Sequence, residues 1–282
     1  MEMKNVGIYA NPGKDPDMGG TRLVAQRLRA LGCHVFFDEG GMPQGEHETI
    51  DYNKISCLFV LGGDGTLLKA ALKSSLYGVS LLGINLGRLG FLTEVELGDI
   101  ESAISRLQNN DFYVEERIML HSSIYNGERK LFEVEALNDV AILKKDVSRM
   151  IRLELKIGGA VADHVSCDGM LVSTPTGSTG YSLSAGGPIL SPNLKCLLAT
   201  PICPHSLHSR TLVFSDDDEI IIRPTAPGGM VLTTDGVQQR QIHNGEMVRI
   251  KRSRHLARFI RFQENYFYPL LRSKFRNWDR DK

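Results

Sequence analysis

The N-terminal part of the chain alternates short apolar runs with segments whose apolar residues recur every three or four positions. The apolar runs predict β-strands at residues 6–10, 35–37, 57–61 and 79–84. The helical spacing predicts α-helices at 21–31, 67–76 and 100–107. Strands that alternate with helices form a parallel sheet with helices on its faces. Because ligands bind outside the carboxyl ends of such strands, the loops after Ala10, Leu61 and Ile84 are the first candidates for a site.

Beyond about residue 113 the pattern changes to short strands joined by turns. The strands are predicted at 119–125, 130–134, 140–143, 151–157, 170–173, 211–214, 220–223, 231–234 and 247–251. Asn126-Gly127 is the strongest hairpin signal among them. We therefore predict a Rossmann-like parallel α/β domain at 1–113 and an all-β, β-sandwich-like domain at 114–257. Aromatic residues at roughly helical intervals predict that 258–282 returns to pack on the α/β domain.

A glycine-rich turn, Gly62-Gly63-Asp64-Gly65-Thr66, separates the third predicted strand from its helix. A strand, a glycine turn and a helix direct backbone N–H groups at an anion, and glycine lets the backbone approach a phosphate closely. Asp64 is unexpected there because a carboxylate repels phosphate. It would hold a metal or accept a proton or hydrogen bond from a hydroxyl; the alternative is a helix cap.

A second stretch, residues 166–188, is crowded with hydroxyl groups and glycines. The hydroxyl groups belong to Thr174, Thr176, Ser178, Thr179, Tyr181, Ser182 and Ser184. Neutral donors and acceptors suit ribose, amide and phosphate oxygens better than a metal ion. No histidine is placed to activate Ser178, so acyl transfer is not expected. A glycine-rich surface loop is the simpler alternative.

Weaker features each have an ordinary explanation. Asn138-Asp139 alone indicates a turn, and turn chemistry explains Asp235 with its following glycine. Cys203, His205 and His208 match no standard zinc spacing. A basic run that alternates with apolar residues predicts a solvated face, from which one or two arginines could meet a phosphate. Its members are Lys251, Arg252, Arg254, Arg258 and Arg261.

Composition narrows the classes of function. The 282 residues include 33 basic and 33 acidic side chains, and this balance argues against a nucleic-acid partner. No apolar run reaches the ~18–20 residues that span a bilayer, so no membrane partner is expected. The N-terminus lacks the core of a signal peptide, and the five cysteines form no CxxC pair. Together these features predict a cytoplasmic protein.

In combination the motifs resemble the NAD kinase family over nearly the whole chain. They are Gly62–Thr66, Asn85–Thr93, Asn138-Asp139, Asp168-Gly169, Thr174–Tyr181 and Pro201–His205. The resemblance implies that ATP, or inorganic polyphosphate in some members, phosphorylates the 2′-hydroxyl of the adenosine ribose of NAD to give NADP. It also implies Mg²⁺ accompanying ATP, no tightly bound prosthetic group, no protein metal site, and a homodimer or homotetramer.

The resemblance assigns roles to individual residues. Asp64 would be the catalytic carboxylate that orients and deprotonates the ribose hydroxyl. Phosphate contacts would come from Gly62, Gly63, Gly65 and Thr66. NAD contacts would come from Gly65, Phe91, Asn138, Asp139, Asp168, Thr176, Thr179, Gly180, Tyr181 and Ser184. Among them Asn138 and Asp139 would hold the nicotinamide-side ribose, and Asp168 the nicotinamide amide, in part for a neighbouring subunit.

Two positions depart from the family's usual pattern. Asp139 stands where glutamate is usual and is one methylene shorter, while Gly180 stands where alanine is frequent. Two rival functions remain open from the sequence. Lipid and sugar kinases share the glycine turn, and a dinucleotide sensor would bind NAD or NADP without changing it.

Overall fold

The buried apolar side chains form two separate cores, which include Phe59 and Ile84 in one and Val172 and Val248 in the other. The computed structural model describes residues 3–87, 90–146, 149–226 and 228–278. Contacts divide the chain into unit 1, Met1–Glu116 with Ala257–Lys282, and unit 2, Arg117–Leu256. The predicted return of the C-terminal segment to the α/β domain is therefore confirmed.

Unit 1 is built on a parallel sheet. Its elements are β1 (Asn5–Ala10), α1 (Gly19–Ala30), β2 (His34–Phe37), β3 (Cys57–Gly62), α2 (Asp64–Ser75), β4 (Ser80–Asn85), β5 (Val95–Glu96) and α3 (Ile100–Gln108). The strands pair in parallel in the order β2-β1-β3-β4. Every residue of β3 is buried, which explains its unbroken apolar run: both faces of a parallel sheet are covered. The predicted Rossmann-like α/β domain is confirmed.

Unit 2 consists of antiparallel strands in two sheets. The elements from the end of unit 1 onward are β6 (Tyr113–Asn126), β7 (Arg129–Ala136), β8 (Asp139–Lys144), β9 (Ile151–Ile157), β10 (Ala160–Cys167), β11 (Gly169–Ser173), α4 (Tyr181–Ser184), β12 (Cys196–Ile202), β13 (Leu212–Ser215), β14 (Ile220–Pro224), β15 (Met230–Thr234), β16 (Val237–Ile242), β17 (Glu246–Arg261) and α5 (Phe267–Trp278). One sheet has the order β13-β12-β11-β8-β15-β16, and the other contains β10-β9-β14-β17. Apolar side chains of both sheets share one core, so the predicted β-sandwich is confirmed.

Three strands of unit 2 were not predicted: β10, β12 and β16. β16 is rich in polar residues, and β10 has Asp163 and His164 at its centre and several exposed positions, so neither strand gives a clear apolar pattern. β12 is apolar, but Thr200 and Pro201 interrupt its pattern. The Asn126-Gly127 hairpin is confirmed, with Gly127 at φ 58° between β6 and β7.

The basic run near the C-terminus was interpreted wrongly at one end. β17 continues to Arg261 and pairs with β4 through Arg258 and Phe259, so the first residues of the 258–282 segment form a strand. Arg261 is completely buried instead of belonging to a solvated face. Only after β17 does the helix α5 begin.

Candidate functional site

A cleft of about 420 Å³ opens in unit 1 where β1 and β3 end and α2 begins. Its lining residues are Tyr9, Ala10, Asn11, Pro12, Lys14, Gly40, Gly63, Gly65, Thr66 and Lys69. Two are lysines and none is acidic. A β-carbon built on Gly63 would lie 2.6 Å from Lys14 Nζ, so glycine leaves room for this ammonium group. Two lysines beside the N-terminus of α2 make the cleft suited to an anion.

The loop that carries Lys14 is fixed by hydrogen bonds at both ends. Asn11 N–H donates to the Leu61 carbonyl (3.0 Å), and Asn11 Nδ2 donates to Thr66 Oγ1 (3.1 Å). The buried Asp15 carboxylate accepts hydrogen bonds from the backbone N–H groups of the first residues of α1. Hydrogen bonds within the protein therefore fix this loop of the cleft without a ligand.

Asp64 is the first residue of α2, and its carboxylate is bound by a second loop. Phe91 N–H donates to Oδ2 (2.8 Å) and Leu92 N–H donates to Oδ1 (3.0 Å). A β-carbon on Gly90 would lie 1.8 Å from Oδ1, so only glycine fits beside this carboxylate. Thr93 Oγ1 accepts from Gly90 N–H (2.9 Å) and closes the loop on itself. The carboxylate is consequently held in one orientation.

Phe91 lies next to α5 within unit 1. Its ring centroid is 6.5 Å from that of Phe267, and Lys274 Nζ lies 5.7 Å from the Phe91 centroid. Two residues of the same motif, Arg88 and Leu89, fall outside the described part of the chain. Gly62 is required by close packing, since a β-carbon there would lie 2.3 Å from Thr66 Oγ1.

In unit 2, the Asn138-Asp139 pair and the hydroxyl-rich stretch come together. Asp139 pairs with Ser173 across β8 and β11, and Thr174 N–H donates to the Asn138 carbonyl (2.9 Å). A β-carbon on Gly177 would lie 2.2 Å from that same carbonyl oxygen. Glycine at this position therefore permits the close approach of the two segments.

Asp235 fixes the other side of the pair. Its carboxylate accepts hydrogen bonds from the backbone N–H groups of Leu137 (2.9 Å), Asn138 (2.8 Å) and Asp139 (3.1 Å). Asp235 has a left-handed backbone conformation, with a φ of 48°. The sequence analysis explained Asp235 by turn chemistry alone. That explanation is incomplete, because Asp235 also binds a loop that lies far away in sequence.

Several hydroxyl groups of the hydroxyl-rich stretch, residues 166–188, form hydrogen bonds with other parts of the protein. Ser178 Oγ donates to the Pro175 carbonyl (2.6 Å), and Ser182 Oγ lies 3.3 Å from Thr200 Oγ1. Thr176 Oγ1 accepts from Arg117 (3.0 Å), and Thr179 Oγ1 donates to the Thr176 carbonyl (3.3 Å). Their density therefore has a structural reason. Tyr181 and Ser184 are the exposed members.

Carboxyl groups shift the pKa values of neighbouring side chains in unit 2. Burial, reinforced by the charge of Asp235, raises the pKa of Asp139 to about 7. Burial, with Asp139 and Asp168 contributing, also raises the pKa of Tyr181. Asp168 forms an ion pair with Lys144 at 2.7 Å. Asn138 Oδ1 is buried and has no hydrogen-bond partner among the described residues, so it can accept one from a ligand.

The predicted site residues thus form two groups. Gly62, Gly63, Asp64, Gly65, Thr66 and Phe91 lie in unit 1, and Asn138, Asp139, Asp168, Thr176, Thr179, Gly180, Tyr181 and Ser184 lie in unit 2. Sequence reasoning missed Lys14 and Lys69 in the cleft, and it underestimated Asp235. The break at Asn11 marked the first loop, but nothing in its sequence singled out Lys14.

Among the described residues, no group of three or more histidine, cysteine, aspartate or glutamate side chains is arranged to hold a metal ion. Within the same described ranges, no helix combines the length and apolarity needed to cross a membrane.

A cationic cleft suited to an anion and a nearby oriented carboxylate form an arrangement that phosphoryl transfer uses, and together with the fold they fit a phosphotransferase of the nucleotide-binding α/β class. Known families agree. Residues 6–112 match the ATP-NAD kinase N-terminal domain, and residues 137–262 match the ATP-NAD kinase C-terminal domain. The chain belongs to the NAD kinase family.

Individual relatives are consistent with this assignment. The NAD kinase of Moorella thermoacetica is 48% identical over 253 residues, which cover 89% of this chain and 78% of the relative. An NAD kinase from Archaeoglobus fulgidus in complex with ATP has a TM-score of 0.76 and 25% identity, covering 96% of this chain and 98% of that one. Yeast NADH kinase complexed with NADH shares the fold, with a TM-score of 0.85, 24% identity and coverages of 94% and 85%.

Proposed function

We propose that the chain catalyses phosphorylation of NAD at the 2′-hydroxyl of its adenosine ribose, with ATP as donor and NADP as product. The observation that carries the proposal is Asp64, a carboxylate fixed by two backbone N–H groups beside a cationic cleft that is lined by no acidic residue. Of the roles open to a carboxylate beside a phosphate site, orienting a hydroxyl group is the one that we assign to Asp64.

The donor binds in the cleft of unit 1. Lys14 and Lys69 neutralise phosphate charge, and the backbone N–H groups of Gly63 and Gly65 donate hydrogen bonds to phosphate oxygens. Magnesium ions prefer oxygen ligands, but the cleft lining contains no carboxylate. The divalent ion would therefore be bound mainly by ATP oxygens and water, and it would neutralise charge on the transferred group. Polyphosphate offers similar oxygens and is an alternative donor.

Asp64 positions the acceptor and receives its proton. A bond forms between the ribose 2′-oxygen and the γ-phosphorus, while the bond from that phosphorus to the β,γ-bridging oxygen breaks and ADP leaves. A carboxylate is far too weak a base to remove the hydroxyl proton beforehand, so Asp64 accepts it as the new bond forms and later passes it to water. Alignment supplies most of the acceleration.

The NAD contacts are proposed in unit 2. Asn138 Oδ1 accepts a hydrogen bond from ribose, and the Asp139 carboxylate accepts another. Asp168 meets the nicotinamide amide, while Thr176, Thr179, Gly180, Tyr181 and Ser184 line the nucleoside. Asp139 is buried and one methylene shorter than the family's usual glutamate, which makes its reach the most demanding of these contacts.

The direct test is to incubate purified protein with NAD and MgATP and to measure NADP with an NADP-specific dehydrogenase. Asp64→Asn should lower kcat at least ~10³-fold while NAD binding, measured by calorimetry, changes less than about 2-fold. Well-folded wild-type protein that binds NAD but forms no NADP would support the sensor function instead. A variant that keeps near wild-type turnover would remove Asp64 from its catalytic role.

Assembly and compartment are further parts of the proposal. The edge strand β13 exposes Leu212 and Val213, an apolar edge that a second copy could cover in a homodimer or homotetramer. Light scattering after size exclusion measures the state directly. Free cysteines such as Cys203 suit the reducing cytoplasm.

A further inference from the structure

Arg261, near the end of β17, is a fully buried charged side chain in unit 1. Its Nε donates to Glu115 Oε2 (2.9 Å), and its Nη1 donates to Glu94 Oε2 (2.9 Å). The guanidinium also lies over the ring of Tyr266, 4.4 Å from the centroid. Burial of a charge is costly, and two carboxylates compensate for it here.

The same Nη1 also donates to the backbone carbonyl of Leu92, at 3.1 Å. The N–H of Leu92 donates to Asp64 Oδ1, at 3.0 Å. A single residue is therefore bound at both of its backbone polar groups, by the buried guanidinium on one side and by the carboxylate of Asp64 on the other. No atom of Arg261 needs to touch a substrate for it to influence the carboxylate.

We infer that Arg261 is a positioning residue that sets the orientation of the Asp64 carboxylate through the backbone of Leu92. The inference rests on the proposed function, in which Asp64 orients the acceptor hydroxyl. Because a displacement of about 1 Å at a reacting group can cost ~10²-fold in rate, a loop that binds the carboxylate must itself be immobile.

Further hydrogen bonds hold in place the residues that bind the Arg261 guanidinium. Glu94 Oε1 accepts from Phe262 N–H (2.7 Å), and Glu94 N–H donates to the Gly83 carbonyl of β4 (2.9 Å). Tyr266 Oη donates to Glu115 Oε2 (2.9 Å). The Arg261 guanidinium is thus bound by residues of three chain segments, which hold Arg261 in a fixed position.

Arg258 provides a matched control. It lies three residues earlier in β17, and it also binds one carboxylate and one backbone carbonyl: Glu116 Oε1 at 3.1 Å and the Gly78 oxygen at 3.1 Å. No described hydrogen bond joins Gly78 to residues 90–93, the loop that binds the Asp64 carboxylate. Arg258 therefore has similar chemistry without the connection to Asp64.

The experiment compares Arg261→Lys and Arg258→Lys with wild type. Lysine keeps the charge but cannot donate to two carboxylates and a carbonyl in the planar geometry of arginine. For Arg261→Lys we expect kcat to fall about 10- to 100-fold, with dissociation constants for NAD and MgATP within about 2-fold and one MgATP bound per chain. For Arg258→Lys we expect kcat within about 2-fold of wild type.

A purely structural role would give a different result: a lower unfolding temperature and fewer binding sites per chain, with kcat per bound site unchanged. That result, or equal losses of kcat in the two variants, overturns the inference. If Arg261→Lys does not fold, Glu94→Gln tests the same inference, and unchanged kcat in that folded variant also overturns it. If the wild-type protein forms no NADP, that result contradicts the proposed function and not the inference that Arg261 positions the Asp64 carboxylate.

Discussion

Replacing Asp139 by asparagine should remove a pH dependence of NAD binding that the wild-type protein possesses. The Asp139 carboxyl is 4% exposed, and burial together with the charge of Asp235 raises its pKa to about 7. If the ionised form accepts the ribose hydrogen bond, NAD affinity follows the ionised fraction. That fraction rises from about 10% at pH 6 to about 90% at pH 8.

Wild-type protein should therefore bind NAD about 10-fold more tightly at pH 8 than at pH 6. At pH 7, where about half of the free protein carries the proton, binding should release about half a proton per NAD. Calorimetry in two buffers of different ionisation enthalpy measures that release. Asp139→Asn should show neither the affinity change nor the proton release.

The stability of the ligand-free protein should change in the opposite direction. Aspartate in the unfolded chain ionises near pH 4, whereas folded Asp139 keeps its proton up to about pH 7. The unfolded state binds fewer protons between these values, so the free energy of unfolding falls as pH rises through this window and is highest below it. The full difference corresponds to about 4 kcal/mol. Urea titrations of wild type and Asp139→Asn at pH 4.5 and pH 7.5 compare the two slopes.

An exposed carboxylate of the same unit, Asp217, supplies the control, because Asp217→Asn should keep the wild-type pH dependence. Two results would refute the reasoning. One is an NAD affinity that changes equally with pH in wild type and Asp139→Asn. The other is a wild-type free energy of unfolding that rises between pH 4.5 and pH 7.5 relative to the variant.

Three further predictions concern other parts of the two groups. Lys14→Met should raise KM for MgATP about 10-fold, because an ammonium beside Gly63 is lost, while exposed Lys54→Met should leave it unchanged in the same steady-state assay. Gly90→Ala should lower kcat about 100-fold, because its β-carbon would lie 1.8 Å from Asp64 Oδ1. Gly87→Ala should be near wild type, because no atom of the described residues lies within 4 Å of a β-carbon built there. Asp235→Asn should destabilise the protein by about 1–3 kcal/mol in urea titrations. It should also move the midpoint of the pH-dependent NAD affinity below pH 7, because the charge of Asp235 contributes to the raised pKa of Asp139.

The sequence predicted the order of elements because their signals are local. β3 is an unbroken apolar run, and α2 follows a glycine turn, so periodicity and turn residues identify both. β16 carries the polar residues Gln238, Gln239 and Arg240, and its existence depends on pairing with β15. Local pattern does not contain that information, because the pairing partner supplies the hydrogen bonds.

Arg261 shows the same limit for the site. In sequence it is one of several arginines spaced among apolar residues, a pattern that is typical of a solvated strand face. Its burial follows from two glutamates more than 140 residues away, as the hydrogen bond to Glu115 spans 146 positions and that to Glu94 spans 167. A buried charge is recognisable only when its counter-charges are located, and one sequence does not locate them.

Aspartates that bind consecutive backbone N–H groups recur in this protein, and the number of bonds distinguishes their roles. Asp15 binds the first N–H groups of α1 and the Thr21 hydroxyl, and Asp235 binds three N–H groups of the 137–139 loop. A carboxylate has about four acceptor positions, so both are largely occupied. Asp64 accepts two such bonds, one on each oxygen, and keeps about two positions for a further donor. A cap needs its acceptors filled by the backbone, whereas a group that orients a hydroxyl needs fixed geometry and an open acceptor, and of these three carboxylates Asp64 best meets both conditions.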